Sequence, residues 1–572
     1  MFKNYCVDLV KLAVLLVIWA STPSMTLGQI AFIDRTDLLI GTVNFSYFPV
    51  AVVDMDGDML DDIVRFDTGG YVVIEYQAPQ SMFEEYNLAQ IDSGLAWGIC
   101  VADADKNGFN DILFGGQEDS LKILIMNGKN SMTSLNTIPP LNFFLQGVNF
   151  VDINNDSWID VYACNDDGRN YTYGNDGSGA LVFDTTIIIA SQDEGNYASV
   201  WTDFDNDGDQ DVYISKCVQN AAPGDPRIIN LLYINDGSNN FSEGANQVGI
   251  DDGAQSWSAD FGDIDNDGDM DLFVVNHDKP SVMYLNNGDG TFSNINSIVN
   301  LGLDSNALSY QCLFRDFDNN GYVDLLIGGF DFDIFWNDGN LVFYRDSTVW
   351  PVTDTIISFA VGDLNTDGFP DIYAIYLSWS STQTPDKILI NSTNTYNFLD
   401  VFITGTTSNI NGIGTRLELY GPWGVQIREV RSGESYGIMN SFKQHFGLST
   451  YAVADSLIVK WPSGIIQRRY NVAANQVFEI TEGVNISIHP KGGQRVGLIY
   501  PNPASQELKI RMAVHTDWHF QLFDLSGKVV KSADMADELE HSFDVSDLPT
   551  GTYTYQIQVR NSNLYSGKII IE

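Results

Sequence analysis

An acidic nine-residue pattern, D-x-[DN]-x-[DN]-x-x-x-D, occurs seven times between Asp54 and Asp371, and each copy runs into a short apolar segment. In the copy from Asp203 to Asp211, the spacing places side-chain oxygens at positions one, three and five on the inside of a tight turn, with a carboxylate returning at position nine. Such a cage suits a hard cation. Calcium takes roughly six to eight oxygen ligands, whereas magnesium sheds water reluctantly and is seldom held by protein oxygens alone. No loop contains cysteine or histidine, which disfavours zinc and copper.

The candidate calcium ligands, for up to seven ions, are Asp54, Asp56, Asp58 and Asp62; Asp103, Asp105, Asn107 and Asp111; Asp152, Asn154, Asp156 and Asp160; Asp203, Asp205, Asp207 and Asp211; Asp263, Asp265, Asp267 and Asp271; Asp316, Asp318, Asn320 and Asp324; and Asp363, Asn365, Asp367 and Asp371. Position six is glycine in five copies (Gly108, Gly208, Gly268, Gly321, Gly368), where a sharp reversal calls for positive φ. Met59 and Ser157 break that rule, so the first and third loops are expected to be the weakest sites. An acidic turn can also be an ordinary solvated hairpin, since Asp and Asn favour turns. Turn preference alone does not fix carboxylates at the same four offsets seven times.

These loops explain much of the composition. The chain has 572 residues, with 75 Asp and Glu against 29 Lys and Arg, and 24 of the acids are loop carboxylates. Seven divalent ions would bring the formal charge from −46 to −32, which still argues against nucleic acid or an anionic membrane as partner. At the N-terminus, Lys3 and Lys11 precede the apolar run Leu12 to Ala20, and small residues follow to Gly28. This predicts a secretory signal peptide over 1–28. The run is short for a membrane span, and no span is expected in the mature chain. Cys100, Cys164, Cys217 and Cys312 are scattered and read as buried small hydrophobes rather than a disulfide framework.

The loops recur about every 50 residues, the length of a propeller blade rather than a short solenoid turn. After each loop come a short strand, a second strand ending in Asn and Gly (Leu232 to Gly237), and an outer segment opened by an aromatic such as Phe241. That is a meander with hairpin chemistry. The expected fold is all-β: a seven-bladed β-propeller followed by two small β-sandwich-like domains. The segment from Ala31 to Thr36 is like an outer segment but precedes the first loop, so it is expected to supply the last strand of the seventh blade.

With those residues in view, the region 29–395 resembles the FG-GAP/VCBS repeats of bacterial surface proteins and of the integrin α-chain propeller. The Phe-Gly and Gly-Ala-Pro elements are poorly kept, with Phe114-Gly115-Gly116 and Ile327-Gly328-Gly329 the nearest, so integrin-style ligand binding is not carried over. Residues 396–485 lose the acidic loops and contain Ser408 to Arg416, Arg428-Glu429-Val430-Arg431-Ser432-Gly433, His445-Phe446-Gly447-Leu448 and Val459-Lys460-Trp461-Pro462-Ser463-Gly464. They resemble the ASPIC/UnbV domain that follows such propellers in proteins related to cartilage acidic protein. That family implies no catalytic role. His445 with Arg428, Glu429 and Arg431 has the residue types of an acid/base or anion site, but no nucleophile or paired carboxylate accompanies them, and a structural ion-pair set is the simpler reading.

After a linker at 486–495, Tyr500-Pro501-Asn502-Pro503, Phe520 to Val530, Leu548-Pro549-Thr550-Gly551 and Lys568 to Ile571 resemble the type IX secretion sorting domain of the Bacteroidota over 496–572. The resemblance implies engagement of the type IX export machinery, passage across the outer membrane, and a secreted or surface location.

Six residues before each loop stand Phe48, Trp97, Gln146, Tyr197, Trp257, Tyr310 and Ile357. At about 3.3 Å per residue that offset puts them roughly 20 Å from the loops, near the opposite mouth. The aromatic ones, Phe48, Trp97, Tyr197, Trp257 and Tyr310, are candidate ligand-binding residues that would stack on sugar or peptide. Against this, residues two before each loop (Val52, Val101, Phe150, Trp201, Phe261, Phe314, Val361) share the strand parity and read as core, which favours packing between blades. The functional expectation is a calcium-binding surface protein acting in adhesion or in binding an extracellular glycan or protein ligand. A polysaccharide-acting lyase or hydrolase and a structural surface-layer component are the alternatives, and the sole propeller histidine, His277, weakens the enzyme reading.

Overall fold

The computed structural model describes residues 31–571, apart from 41–43, 79–81, 92–95, 303–308, 377–383, 484–486, 489–496, 501–503, 525–527, 560–562 and a few isolated positions. The signal-peptide expectation and most of the linker lie outside the described residues. The fold is all-β.

Each acidic loop joins the first two strands of an antiparallel four-stranded meander. In the fourth unit these strands are Asn196–Thr202, Asp211–Lys216, Leu231–Asn235 and Phe241–Glu243, hydrogen-bonded in chain order. Six such meanders follow one another from Ser46 to Asp346. A seventh has only three strands of its own, Ile356–Gly362, Asp371–Tyr376 and Lys387–Asn391, and Phe32–Asp34 completes it, pairing antiparallel with Leu389 to Asn391. The leading strands pack side by side, each on the next, and Ile356–Gly362 returns to lie against Ser46–Val53. The ring therefore closes, and it does so by the N-terminal segment, as the repeat register predicts.

Neighbouring units are stitched by amides. Asn175, Asn286, Asn337 and Asn391, each ending a third strand, donate through Nδ2 to the backbone carbonyl of loop position two in the preceding unit (Ala104, Phe204, Ile264 and Phe317; 2.7–2.9 Å). Gln77 does the same across the seam, its Nε2 donating to Leu364 O at 2.8 Å. Because these carbonyls are buried, an unmade bond would cost the full desolvation of the group. Removal of residues 29–45 should therefore lower the stability of the whole ring, since it strips an outer strand from the seam. Thermal melting of the truncated chain checks this, and an unchanged midpoint would contradict closure.

The next region folds as two sheets. Gln444–Ser449, Asn397–Thr404 and Val477–Thr481 form one; Gly424–Glu429, Arg416–Gly421, Val453–Lys460 and Ile466–Ala473 form the other. Its core residues Leu399, Leu417, Phe446 and Trp461 belong to the same apolar cluster as Val101, Phe114 and Val161 of the ring. The C-terminal strands from Gly497 to Ile571 form one hydrogen-bonded sheet with Ser487–Ile488, organised around the long strand Glu507–Phe523. That sheet has a separate core, including Phe520, Tyr555 and Ile557.

Candidate metal loops and aromatic mouth

In every loop the position-nine aspartate is fully or almost fully buried. One carboxylate oxygen accepts from a backbone N–H at or near the end of the third strand, as Asp111 does from Met126 and Asp371 from Asn391 (2.8 Å each). In six loops the other oxygen accepts from position two, as in Ala104 N to Asp111 Oδ2 at 3.0 Å. These aspartates tie loop, second strand and third strand together whatever else they bind. In five loops the position-one aspartate accepts from the N–H groups of positions five and six, for instance Asp316 from Asn320 at 3.1 Å and Gly321 at 2.8 Å.

Position six has positive φ in all seven loops, glycine or not: Met59 is at 68° and Ser157 at 74°. Position four is left-handed as well (Gly57, Lys106, Asn155, Asn206, Asn266, Asn319, Thr366), a requirement the sequence signals by Asn in four copies and Gly in one. Asn and Gly tolerate this region best; Met59 and Ser157 hold it at a cost.

This backbone turns the side chains inward. Oxygens of Asp54, Asp56 and Asp58, of Asp103, Asp105 and Asp111, of Asp203, Asp205 and Asp207, of Asp263, Asp265 and Asp271, and of Asp316, Asp318 and Asp324 lie within 4.8 Å of one another. In the third and seventh loops Asn replaces Asp at position three, and Asn154 and Asn365 donate to Asp156 and Asp367 at 3.0 and 2.8 Å. Among the converging groups, Asp56 Oδ1, Asp203 Oδ1 and Asp265 Oδ1 are buried without a hydrogen-bond partner. Burial, the largest influence, pushes the Asp103 and Asp265 carboxyls up to about 6, Asp54 and Asp203 to about 7, Asp111 and Asp263 to about 8, and Asp62 and Asp211 to about 9. Buried acids that repel one another, with acceptor oxygens left over, are chemically fitted to a hard divalent cation. The first loop has a further peculiarity: Lys129 Nζ sits 2.6 Å from Asp56 Oδ2.

The aromatic set is brought together, in a way strand parity alone does not foresee. Trp97, Gln146, Tyr197, Trp257, Tyr310 and Ile357 each occupy the point where the pairing register slips by one residue between the first two strands. Phe48 lies within a longer irregularity between Ser46 and Val50. A bulge re-aims the extra side chain, so these residues do not share the inter-blade environment of Val101 or Phe261, which are buried as core. Phe48, Trp97, Tyr197, Trp257 and Tyr310 are half-buried. Ring centroids lie 5.6 Å apart for Phe48 and Trp97, 5.4 Å for Tyr197 and Trp257, and 4.6 Å for Trp257 and Tyr310.

At the centre of this ring stands Tyr436, from the region after the propeller. Its ring is 5.1 Å from Phe48, 5.6 Å from Trp257 and 6.0 Å from Tyr197. Tyr436 is the tip of a hairpin-like excursion, residues 430–443, that threads the axis of the ring from the loop face, and residues 426–440 are all buried. The excursion bonds to the leading strand of every unit. Gly437 O accepts from Val50 N (3.4 Å), Ser432 Oγ from Val101 N (3.2 Å), Ser432 O from Phe150 N (3.2 Å), Ser435 Oγ from Cys312 N (3.1 Å) and Asn440 Oδ1 from Val361 N (2.8 Å). Arg431 reaches Thr202 Oγ1 at 3.4 Å and Asp260 Oδ1 at 3.1 Å. The channel is thus plugged, and the mouth is a shallow aromatic platform.

The basic and acidic residues singled out beside His445 belong to this plug and its base. Arg431 also pairs with Glu429 at 2.9 Å, and Arg315 of the sixth unit pairs with Glu434 at 2.9 Å. Arg428 donates to His445 O, and the His445 ring bridges Asp400 (2.8 Å) and Asn319 of the sixth loop (2.7 Å). They form an ion-pair and hydrogen-bond set across the interface between the ring and the second region rather than inside one sandwich. Among the described residues, Cys100, Cys164, Cys217 and Cys312 are buried and free.

The second region sits directly on the acidic loops. Arg416 donates to Gly268 O (2.8 Å), Ser449 N to Asn319 O (2.8 Å) and Asp103 N to Asn411 Oδ1 (2.9 Å). A Cβ on Gly447 would lie 2.0 Å from Asp316 Oδ2, and one on Gly368 2.1 Å from the Phe398 ring.

Residues 152–214, 221–274, 263–327 and 316–374 match the FG-GAP-like repeat, 405–487 the family described as ASPIC and UnbV, and 498–572 the secretion system C-terminal sorting domain. The chain joins FG-GAP-like repeats, an ASPIC/UnbV domain and a type IX sorting domain. No curated protein matches it. Solved structures similar to it include crystal structures of BBS1N in complex with ARL6DN, soaked with lead (TM-score 0.39) or with mercury (TM-score 0.41), each 12% identical and covering 64% of this chain and 97% of the other. The sorting domain marks an FG-GAP, ASPIC/UnbV protein secreted to the outer cell surface, with the secretion machinery as a partner of its tail. Among the described residues, no helix is long and apolar enough to cross a membrane. FG-GAP and ASPIC/UnbV are not typical enzyme families.

Proposed function

We propose that this protein is an extracellular calcium-binding propeller, with the seven-bladed ring over 29–395, the ASPIC/UnbV unit over 396–485 and the sorting tail over 496–572, acting in adhesion or in capture of a glycan or protein ligand. The observation that carries the metal reading is the convergence of three carboxylates in each of five loops, from positions one, three and five in the first and fourth and from positions one, three and nine in the second, fifth and sixth. In each loop, residues at positions one, three, five and nine hold the ion. Calcium there would supply positive charge that neutralises the buried acids and fixes the face on which the ASPIC/UnbV unit rests.

The ligand face is the platform of Phe48, Trp97, Tyr197, Trp257 and Tyr310 around Tyr436. Half-exposed rings held at bulges and backed by a buried tyrosine are pre-organised to stack on flat apolar faces at low entropic cost. A glycan array read beside a polysaccharide-degradation assay tests the reading. Retention without turnover, weakened at least tenfold by Trp257→Ala, is the expected result; chain cleavage would move the protein to the enzyme class, and no retention on any glycan or protein surface would leave the structural surface-layer role.

A further inference from the structure

Three consecutive units carry Asp166, Cys217 and His277 at one register position, the residue just after the second strand (Asp160–Asn165, Asp211–Lys216, Asp271–Asn276), on the mouth side of the ring. The last two are brought into contact: Cys217 Sγ is 3.4 Å from His277 Nε2. Gln255, just ahead of the fifth leading strand, completes a triangle, its Oε1 lying 3.5 Å from Sγ and 3.1 Å from Nε2. From these donors and distances, we propose that Cys217, His277 and Gln255 form a binding site for a borderline transition-metal ion such as Zn²⁺ at the rim of the aromatic platform.

The triangle has the dimensions of one face of a tetrahedral site. Metal–sulfur and metal–nitrogen distances of about 2.3 and 2.0–2.1 Å at a tetrahedral angle put sulfur and nitrogen roughly 3.5 Å apart. The observed edges fall within a few tenths of an ångström of that. The surroundings are also those of a ligand set. Trp257 packs its ring 5.4 Å from the imidazole, the His277 backbone N–H is held by Gln255 O at 3.1 Å, and the Gln255 N–H is held by Asp278 Oδ1 at 2.7 Å. Outer partners that fix ligand orientation in this way tune metal affinity. Burial, first, and then the Asp166 carboxylate push the Cys217 thiol up and hold it protonated, with the Trp257 indole and the Tyr197 hydroxyl acting the other way, so the metal itself has to displace the proton. Sulfur and imidazole do not suit calcium, so this site is chemically separate from the acidic loops. On binding, the S–H bond of Cys217 breaks as the sulfur–metal bond forms, and the proton leaves to solvent. Three protein donors leave a fourth position for water or a ligand donor, and the His277 and Gln255 side chains are half-exposed.

The test is a Co²⁺ titration of the full chain in saturating calcium, followed by near-ultraviolet absorbance. The expected result is a thiolate-to-cobalt charge-transfer band reaching one equivalent per chain and bleached by Zn²⁺. It should disappear in Cys217→Ser and need at least tenfold more cobalt in His277→Ala and Gln255→Ala. Absence of the band in the parent protein, or its persistence in Cys217→Ser, would overturn the proposal. If Cys217→Ser does not fold, X-ray absorption at the zinc edge of the parent protein decides: one sulfur and one imidazole in the shell support the site, an all-oxygen shell rejects it.

Discussion

Stripping divalent ions from this protein lowers its melting temperature sharply, and the loss is larger at pH 8 than at pH 5. Extracellular calcium modules bind with dissociation constants on the order of 10⁻⁴ to 10⁻³ M. At calcium ten times that constant each site adds about 1.4 kcal/mol, so five converging loops add about 7 kcal/mol, comparable with the 5–15 kcal/mol that holds a typical domain folded. The pH dependence follows from burial. Asp62, Asp111, Asp211 and Asp263 have carboxyls pushed up to about 9, 8, 9 and 8, above their unfolded value near 4. Without metal the folded state therefore binds more protons than the unfolded state, and stability falls as pH rises from about 4 through 9. Calcium replaces those protons and removes the penalty. Thermal melts with chelator and with calcium at several pH values read this directly; a chelated midpoint that does not move between pH 5 and pH 8 would contradict it.

Arg431→Ala destabilises the ring and the ASPIC/UnbV unit together, by about 3–5 kcal/mol. Arg431 lies at the axis, between Asp260 of the fifth unit and Glu429 at the base of the plug, at 3.1 and 2.9 Å. Truncation leaves buried Asp260 without its paired cation and Glu429 with only the longer contact to Arg416 at 3.4 Å, and breaking a buried pair costs that much because the surviving charge is stranded. Arg431→Met, which adds apolar bulk but no charge, is damaging for the same reason. Double replacement with Glu429→Gln recovers part of the loss. Because one apolar cluster runs through both regions, calorimetry should show a single transition for residues up to about Thr481, with the C-terminal sheet and its separate core melting independently. Two resolved transitions for ring and ASPIC/UnbV unit would reject the plug as their common support.

Much of the ring was legible because a single nine-residue pattern carries its own register. The recurrence of Asp203 through Asp211 in seven copies fixes unit length, strand order and the ligand offsets, and the stray segment around Phe32 then has one place to go. Asn286 and Asn337 were visible as strand-ending residues, but their role as staples to the preceding unit depends on which carbonyl lies across the interface. The aromatic positions were found by offset, whereas their environment was set by the bulges at Trp97 and Trp257, which break the strict alternation of strand faces. The plug was not legible at all. The burial of residues 430–443 arises from the ring, 79 to 331 residues earlier, supplying partners for Ser432, Glu434 and Asn440. The contact between Cys217 and His277 is of the same kind, since residues 60 apart meet only because consecutive units are stacked in register.

If the acidic loops hold calcium, a calcium titration of chelator-treated protein by calorimetry, with metal content counted at saturation, reads it most directly. Between five and seven ions per chain are predicted, with Asp263→Asn removing an ion of the tighter group and Asp54→Asn or Asp152→Asn affecting the weaker one, because the loops with Met59 and Ser157 fill last. Uptake of one ion or none, or equal filling by magnesium, would contradict the account.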